Sequence, residues 1–208
     1  MSNRFLRDVR GSAAAEFTLV LPLLLILLFG IIDAGRWLWT FNEAVKATQV
    51  GSRVAVVTKV IPSGLATTYV GVTPPGAGSP LTQGDVIPAN ALGKITCTKA
   101  ASAVTCACTT TPCPTLGTTS AIGWNAIVSR MKGMLPSITD ANVEVQYSGS
   151  GIGYAGDPDG QDISPLVTVK LKGLSFTPMT FLMLKSVQAI PAATTTLTAE
   201  DELGSQSN

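Results

Sequence analysis

Apolar and polar positions are distributed unevenly along this chain. From Phe17 to Ile32 almost every residue is apolar, a density beyond what a helix with one wet face requires. Arg4, Arg7 and Arg10 precede the run, and only Asp8 opposes them. Basic residues favour the cytoplasmic side of a membrane segment, so this order predicts a cytoplasmic N-terminus with the rest of the chain across the membrane. The run falls short of the ~20 residues that span hydrocarbon, but tilt, bilayer thinning and the apolar continuation to Phe41 make up the difference. Trp37 and Trp39, with Arg36 beside them, fall where an interfacial aromatic belt belongs. A cleaved secretory signal peptide has the same basic start and apolar middle. Against it, Ile31 to Arg36 lacks a small-x-small cleavage pattern, and the helical pattern continues straight through.

Past the apolar run the period changes character. Ala44, Ala47, Val50, Val54, Val57 and Ile61 recur at spacings of three and four, with Glu43, Lys46 and Arg53 off that stripe. One helix is therefore expected from about Ser12 to Lys59, ended by Pro62, Ser63 and Gly64, with its small residues packed on the chain's own sheet. Residues 62–92 are rich in Pro, Gly, Thr and Ser and read as an irregular connection. Lys94 to Lys99 and Val104 to Thr109 read as a hairpin turning near Ala101 and Ser102. Thr119 or Ser120 caps a second helix whose face is Trp124, Ile127, Val128, Met131 and Leu135, stopped by Pro136. Val143, Val145 and Tyr147, then Val167, Val169 and Leu171, alternate with polar residues as half-buried strands do. Thr177-Pro178 opens a short apolar helix to about Lys185, and Ala193 to Ala199 is a last strand before a polar tail. The fold class expected is α+β: a long N-terminal transmembrane and amphipathic helix packed on a small antiparallel sheet domain with disulfides.

A length of 208 residues gives room for one anchor and one modest domain. The net charge of +1 and the charged fraction of 13% leave no basic footprint, which argues against nucleic acid as a partner. Cys97, Cys106, Cys108 and Cys113 sit in one short stretch, an even number that suits two disulfides in an oxidising compartment. A zinc site is the competing reading, but the spacings are wrong for it and the chain has no His. Four cysteines allow three connectivities. The hairpin register places Cys97 opposite Cys106 and leaves Cys108 to close a short loop with Cys113. Asp157, Asp159 and Asp162 lie at spacings that suit a calcium ion, yet they depart from the EF-hand pattern, and a solvated Asp/Gly turn accounts for them as well. The lack of His also removes the usual general base, and no Ser, Lys or carboxylate cluster stands in a catalytic motif. No enzyme activity and no cofactor are expected.

The junction at the start of the apolar run is more specific. Arg10-Gly11-Ser12-Ala13-Ala14-Ala15-Glu16-Phe17 sets a Gly ahead of the helix and one carboxylate at the lip of the run. This resembles the cleavage site of type IV prepilins and pseudopilins. The continuation from Leu19-Val20-Leu21-Pro22-Leu23 to Phe29-Gly30-Ile31-Ile32-Asp33-Ala34-Gly35-Arg36 resembles TadE-like minor pseudopilins of the Tad (Flp, type IVc) pilus. The resemblance covers residues 7 to about 60. It implies a leader, residues 1–11, cut after Gly11 by a prepilin peptidase to give a mature chain starting at Ser12. Residues 12–61 then form the assembly helix, with Glu16 and Phe17 as recognition positions, and residues 62–208 form an exported domain. The implied partners are that peptidase, other pilin and pseudopilin subunits, and inner-membrane lipid.

Independently of the family, an ionisable group near a membrane segment is expensive and usually paired. The new amino group at Ser12 is the matching cation for Glu16, although a carboxylate in the first helical turn also favours the helix dipole. Pro22 removes one backbone donor and frees the carbonyl of Thr18, which lipid tolerates when neighbours resatisfy it. Three roles fit these features: a minor subunit in pilus assembly, a permanently anchored periplasmic scaffold, and a tip adhesin binding a surface ligand.

Overall fold

Leucine-rich sequence and the Ala13-Ala14-Ala15 run favour a helix that starts early. The computed structural model, which describes residues 10–158, 160–179 and 187–200, has α1 at Arg10–Ala55, unbroken past Pro22. Arg10 and Gly11 are helical as well, just ahead of the start expected at about Ser12. Thr18 donates its hydroxyl to the carbonyl of Ala14. The chain divides into two compact units: residues 1–40 with 175–189, and residues 41–174 with 190–208.

In the first unit α1 displays its large apolar side chains. Phe17, Leu19, Leu23, Leu24, Leu27, Leu28 and Ile31 are all exposed. It is the one described helix long and apolar enough to cross a membrane. Residues 14–32 rise roughly 28 Å at 1.5 Å each, close to a hydrocarbon core of about 30 Å. A two-stranded pair, β5 (Ser175–Phe176) and β6 (Gln188–Ala189), completes this unit. The expected helix from Thr177 to about Lys185 falls largely outside the described residues, as do most of the leader and Asp159.

The second unit is built on an antiparallel sheet of five strands ordered β2-β1-β3-β4-β7. These strands are β1 (Lys94–Ala100), β2 (Ala103–Thr110), β3 (Val143–Ser148), β4 (Leu166–Leu171) and β7 (Ala193–Thr198). Period-two alternation places Cys97, Val145 and Val169 in one cross-strand row and Ile95, Tyr147 and Val167 in the next, all buried. The same face receives α2 (Ala121–Met134), which Ser120 caps by accepting from the Gly123 amide at 3.1 Å. Trp124, Ile127, Val128, Met131 and Leu135 are buried, as the helical period predicts.

The last turns of α1 pack on that face too, by a rotated stripe. Ala44, Ala47, Thr48, Gly51, Ser52 and Ala55 are buried, while Val50 and Val54 are only partly covered. A Cβ on Gly51 would sit 2.7 Å from Met131 and 3.3 Å from Val169, so glycine lets the helix approach closely. Thr48 Oγ1 lies 3.0 Å from Thr195 Oγ1 on β7. The expected packing of small residues holds at Ala44 and Ala47, and past them the stripe turns from Val50 and Val54 to the smaller Gly51, Ser52 and Ala55.

The helix also stops at Ala55 rather than Lys59. Beyond it, Pro62 bridges Thr119 and a 3-10 turn follows at Ser63–Ala66, with residues 61–64 hydrogen-bonded to 116–120. The Ser120 amide donates to Ile61 at 2.7 Å, that of Ser63 to Thr118 at 2.9 Å, and that of Gly64 to Leu116 at 3.0 Å. The Ile61 amide donates to the buried Tyr147 hydroxyl at 3.2 Å. At the helix end itself the Val56 carbonyl, which would accept from Val60 in a longer helix, accepts from the Glu200 amide at 2.9 Å.

Candidate functional site

The N-terminal junction lies in the first turns of α1. Gly11 and Ser12 are helical. Glu16 and Phe17 follow one turn on, both exposed, with Phe17 at 65%.

At the other end of the apolar stretch Asp33 is buried, at 6% exposure. Its Oδ1 accepts from the Met179 amide at 2.7 Å and from Arg36 Nη1 at 3.2 Å. The Arg36 guanidinium lies 5.1 Å from the Phe176 ring centroid, in cation–π range. One carboxylate thereby ties the helix to the segment after β5. Ile32, Arg36, Trp39, Phe176 and Thr177 line an open groove of about 640 Å³ here. Trp39 is 69% exposed, as an interfacial anchor would be, whereas Arg36 is committed to Asp33 and Phe176. Reading the sequence assigned Asp33 no partner. The signal available was the i,i+3 Asp/Arg pair where the apolar run ends.

Both disulfides join residues of the β1–β2 edge. Cys97 and Cys106 are directly opposed in the register and bonded, and Cys108 is bonded to Cys113. Cys97 is buried, and Cys108 lies exposed on the edge strand.

The Asp157–Asp162 loop does not form an ion cage among the described residues. Asp162 is buried, and its two oxygens accept four donors: the amides of Tyr69 at 2.6 Å, Gly156 at 2.7 Å and Asp157 at 3.2 Å, and the Thr68 hydroxyl at 2.9 Å. Burial pushes its pKa up, but the amides of Gly156 and Tyr69, with Thr68 and Asp157, more than offset this and hold it below the ordinary carboxylate range. Asp162 is therefore neither a free calcium ligand nor a solvated turn residue. It ties its own loop to the segment at residues 68–69, a link invisible in local spacing because that segment lies more than 90 residues away.

Two further carboxylates are paired on this unit. Glu144, buried, is bonded to Lys172 and to Gln146 at 2.6 Å. Asp140 meets Lys99 at 2.9 Å and Lys132 at 3.8 Å, and the Lys99 hydrogen bond lowers its pKa. These are structural ties, with no nucleophile and base held together between them.

The comparison with known families resolves what α1 is. Residues 11–53 match the family model described as TadE-like protein. The likeness covers this helix and stops short of the sheet domain. The match opens at Gly11, covers the exposed apolar stretch and the Asp33–Arg36 pair, and ends within the packed stripe. The likeness suggests a component of a Tad pilus. A single N-terminal apolar helix fits a single-pass membrane protein of such a system. Neither curated proteins nor solved structures give a match, so the sheet domain stands on its own physics.

Proposed function

We propose that this chain is a minor pseudopilin of a Tad pilus, processed by a prepilin peptidase between Gly11 and Ser12. The observation that carries the reading is a TadE-like helix whose large apolar side chains face outward through residues 17–31. Such a surface is stable in lipid, and it can leave lipid only for other apolar helices. Peptide-bond cleavage after Gly11 would remove Arg4, Arg7 and Arg10 together and leave a new ammonium at Ser12, one turn from Glu16. That cation pairs with Glu16 of its own or a neighbouring subunit, which reduces the cost of a carboxylate at the membrane. The sheet domain then lies on the periplasmic side or in the fibre, where its disulfides persist. A role in priming assembly or at the tip fits a domain of this size.

N-terminal sequencing of the chain from membranes and sheared fibres tests this. A Ser12 start, lost without the prepilin peptidase, is expected; an intact Met1 start would instead establish a permanent scaffold. Glu16→Ala should leave processing intact and strip the chain from fibres.

A further inference from the structure

Away from the helix, the loops of the sheet domain build a small groove of about 330 Å³ lined by Gln83, Tyr154, Gly156, Asp157 and Pro158. That is at the lower end of the ~300–1,000 Å³ usual for ligand sites. Tyr154 is 55% exposed, and Val86, its partner in an isolated bridge, is exposed as well. Exposed Val70 comes in beside Gly156: a Cβ there would lie 2.9 Å from Val70 and 3.0 Å from Gln83. Apolar surface thus surrounds a few polar groups, an arrangement that marks interaction sites.

The groove is held rigid from below. Asp85 accepts from the amide and hydroxyl of Thr82, each at 2.7 Å, closing the turn that carries Gln83. Gly84, at φ +88°, donates to Ala155 at 2.8 Å, Ala155 donates back to Asp85 at 2.9 Å, and Ile87 donates to Gly153 at 3.1 Å. Asp162 fixes the amides of Gly156 and Asp157, and Gln83 Nε2 donates to the Gly156 carbonyl at 3.3 Å. These backbone groups are already paired, so a peptide has no row of free amides and carbonyls to extend as a strand. Recognition must pass through side chains: an aromatic face, an amide with its oxygen still to accept, and a carboxylate. That set suits a ring with one apolar C–H face and a hydroxyl-bearing edge.

We propose that this groove is a saccharide-binding subsite, with a sugar ring stacked on Tyr154 and its hydroxyls bonded by Gln83 and Asp157. The proposal rests on the pseudopilin reading, which puts the domain outside the cytoplasm where it meets surface glycans, and it gives the adhesin role a location. The test uses the full chain in phosphatidylcholine nanodiscs with the methyl glycosides of glucose, galactose, mannose and N-acetylglucosamine, read by saturation-transfer NMR. Transfer to the ring protons of at least one glycoside is expected, with affinity falling about tenfold in Tyr154→Ala and less in Gln83→Ala, while both variants keep the parent's thermal midpoint. No transfer from the parent to any of the four at millimolar sugar overturns the subsite, as does transfer that survives Tyr154→Ala unchanged. If fibre-borne protein attaches to cells through Tyr154 without binding any glycoside, the groove takes a protein and the saccharide assignment is wrong. N-terminal sequencing of the same preparation separates the two readings: a Ser12 start with no sugar binding sinks only the subsite, and a Met1 start sinks the pseudopilin whatever the sugar does.

Discussion

The two halves of α1 obey opposite rules. Through residues 17–31 the helix carries Leu, Ile and Phe and exposes them; through 44–55 it carries Ala, Gly, Thr and Ser and buries them. The first half offers bulk to a surrounding that accepts it sideways, as lipid or neighbouring helices do. The second half gives up bulk so that its backbone can approach Met131 and Val169. Within one unbroken helix, burial follows the neighbours available and not residue hydrophobicity.

Enlarging glycines breaks this comparison most directly. Gly51→Ala puts a Cβ 2.7 Å from Met131 and 3.3 Å from Val169, and we expect a loss of about 3 kcal/mol in denaturant unfolding, the upper range for overpacking. Gly30→Ala meets nothing within 4 Å and should leave the same transition unmoved. Equal losses at both sites would mean the first half is as tightly packed as the second.

Acid tests the loop staple that supports the groove. Asp162→Ala strands buried amides and should cost about 2 to 3 kcal/mol. In the parent, the Asp162 pKa is lower folded than unfolded. Its contribution is therefore complete above about pH 4 and is lost as pH falls through the lowered folded value. A thermal midpoint that falls with acid in the parent and less steeply in Asp162→Ala is the expected pattern; parallel slopes would assign the acid loss to Glu144 and Asp140.

A smaller effect sharpens the account of the packed half. Thr48→Val keeps the shape and removes the hydroxyl contact to Thr195, for an expected loss of about 1 kcal/mol by the same unfolding measurement. The double change Leu23→Ala, Leu27→Ala should not move the unfolding of the sheet domain at all, yet it should deplete the chain from sheared fibres as judged by immunoblot. Fibre content equal to the parent would remove the outward apolar face from the assembly argument.

Much of this molecule could be read directly from the chain. Alternation at Val143 to Tyr147 and Val167 to Leu171 gave two central strands, Trp124 to Leu135 gave the buried face of α2, and the spacing of Cys97 and Cys106 across a short turn set them opposite one another. The apolar run and the Gly11 to Phe17 junction pointed to the family over the very helix where the match lies. What was misread depends on distant partners. Val50 and Val54 were favoured over Gly51 and Ser52 because hydropathy ranks side chains, while close approach ranks their size. Periodicity carries the helix to Lys59 because nothing nearby says that the Glu200 amide will take the Val56 carbonyl.

The sequence by itself determined the central strands, the buried face of α2 and the membrane-compatible helix, since periodicity and apolar length are local properties that hold whatever the chain meets later. Only the tertiary structure decided that Asp33 ties α1 to Met179, that Asp162 staples loops rather than standing open to an ion, and that Tyr154, Gln83 and Asp157 share one groove. A carboxylate takes whichever donors the fold brings within 3 Å. Those donors lie up to 146 residues away along the chain, beyond the reach of any local pattern.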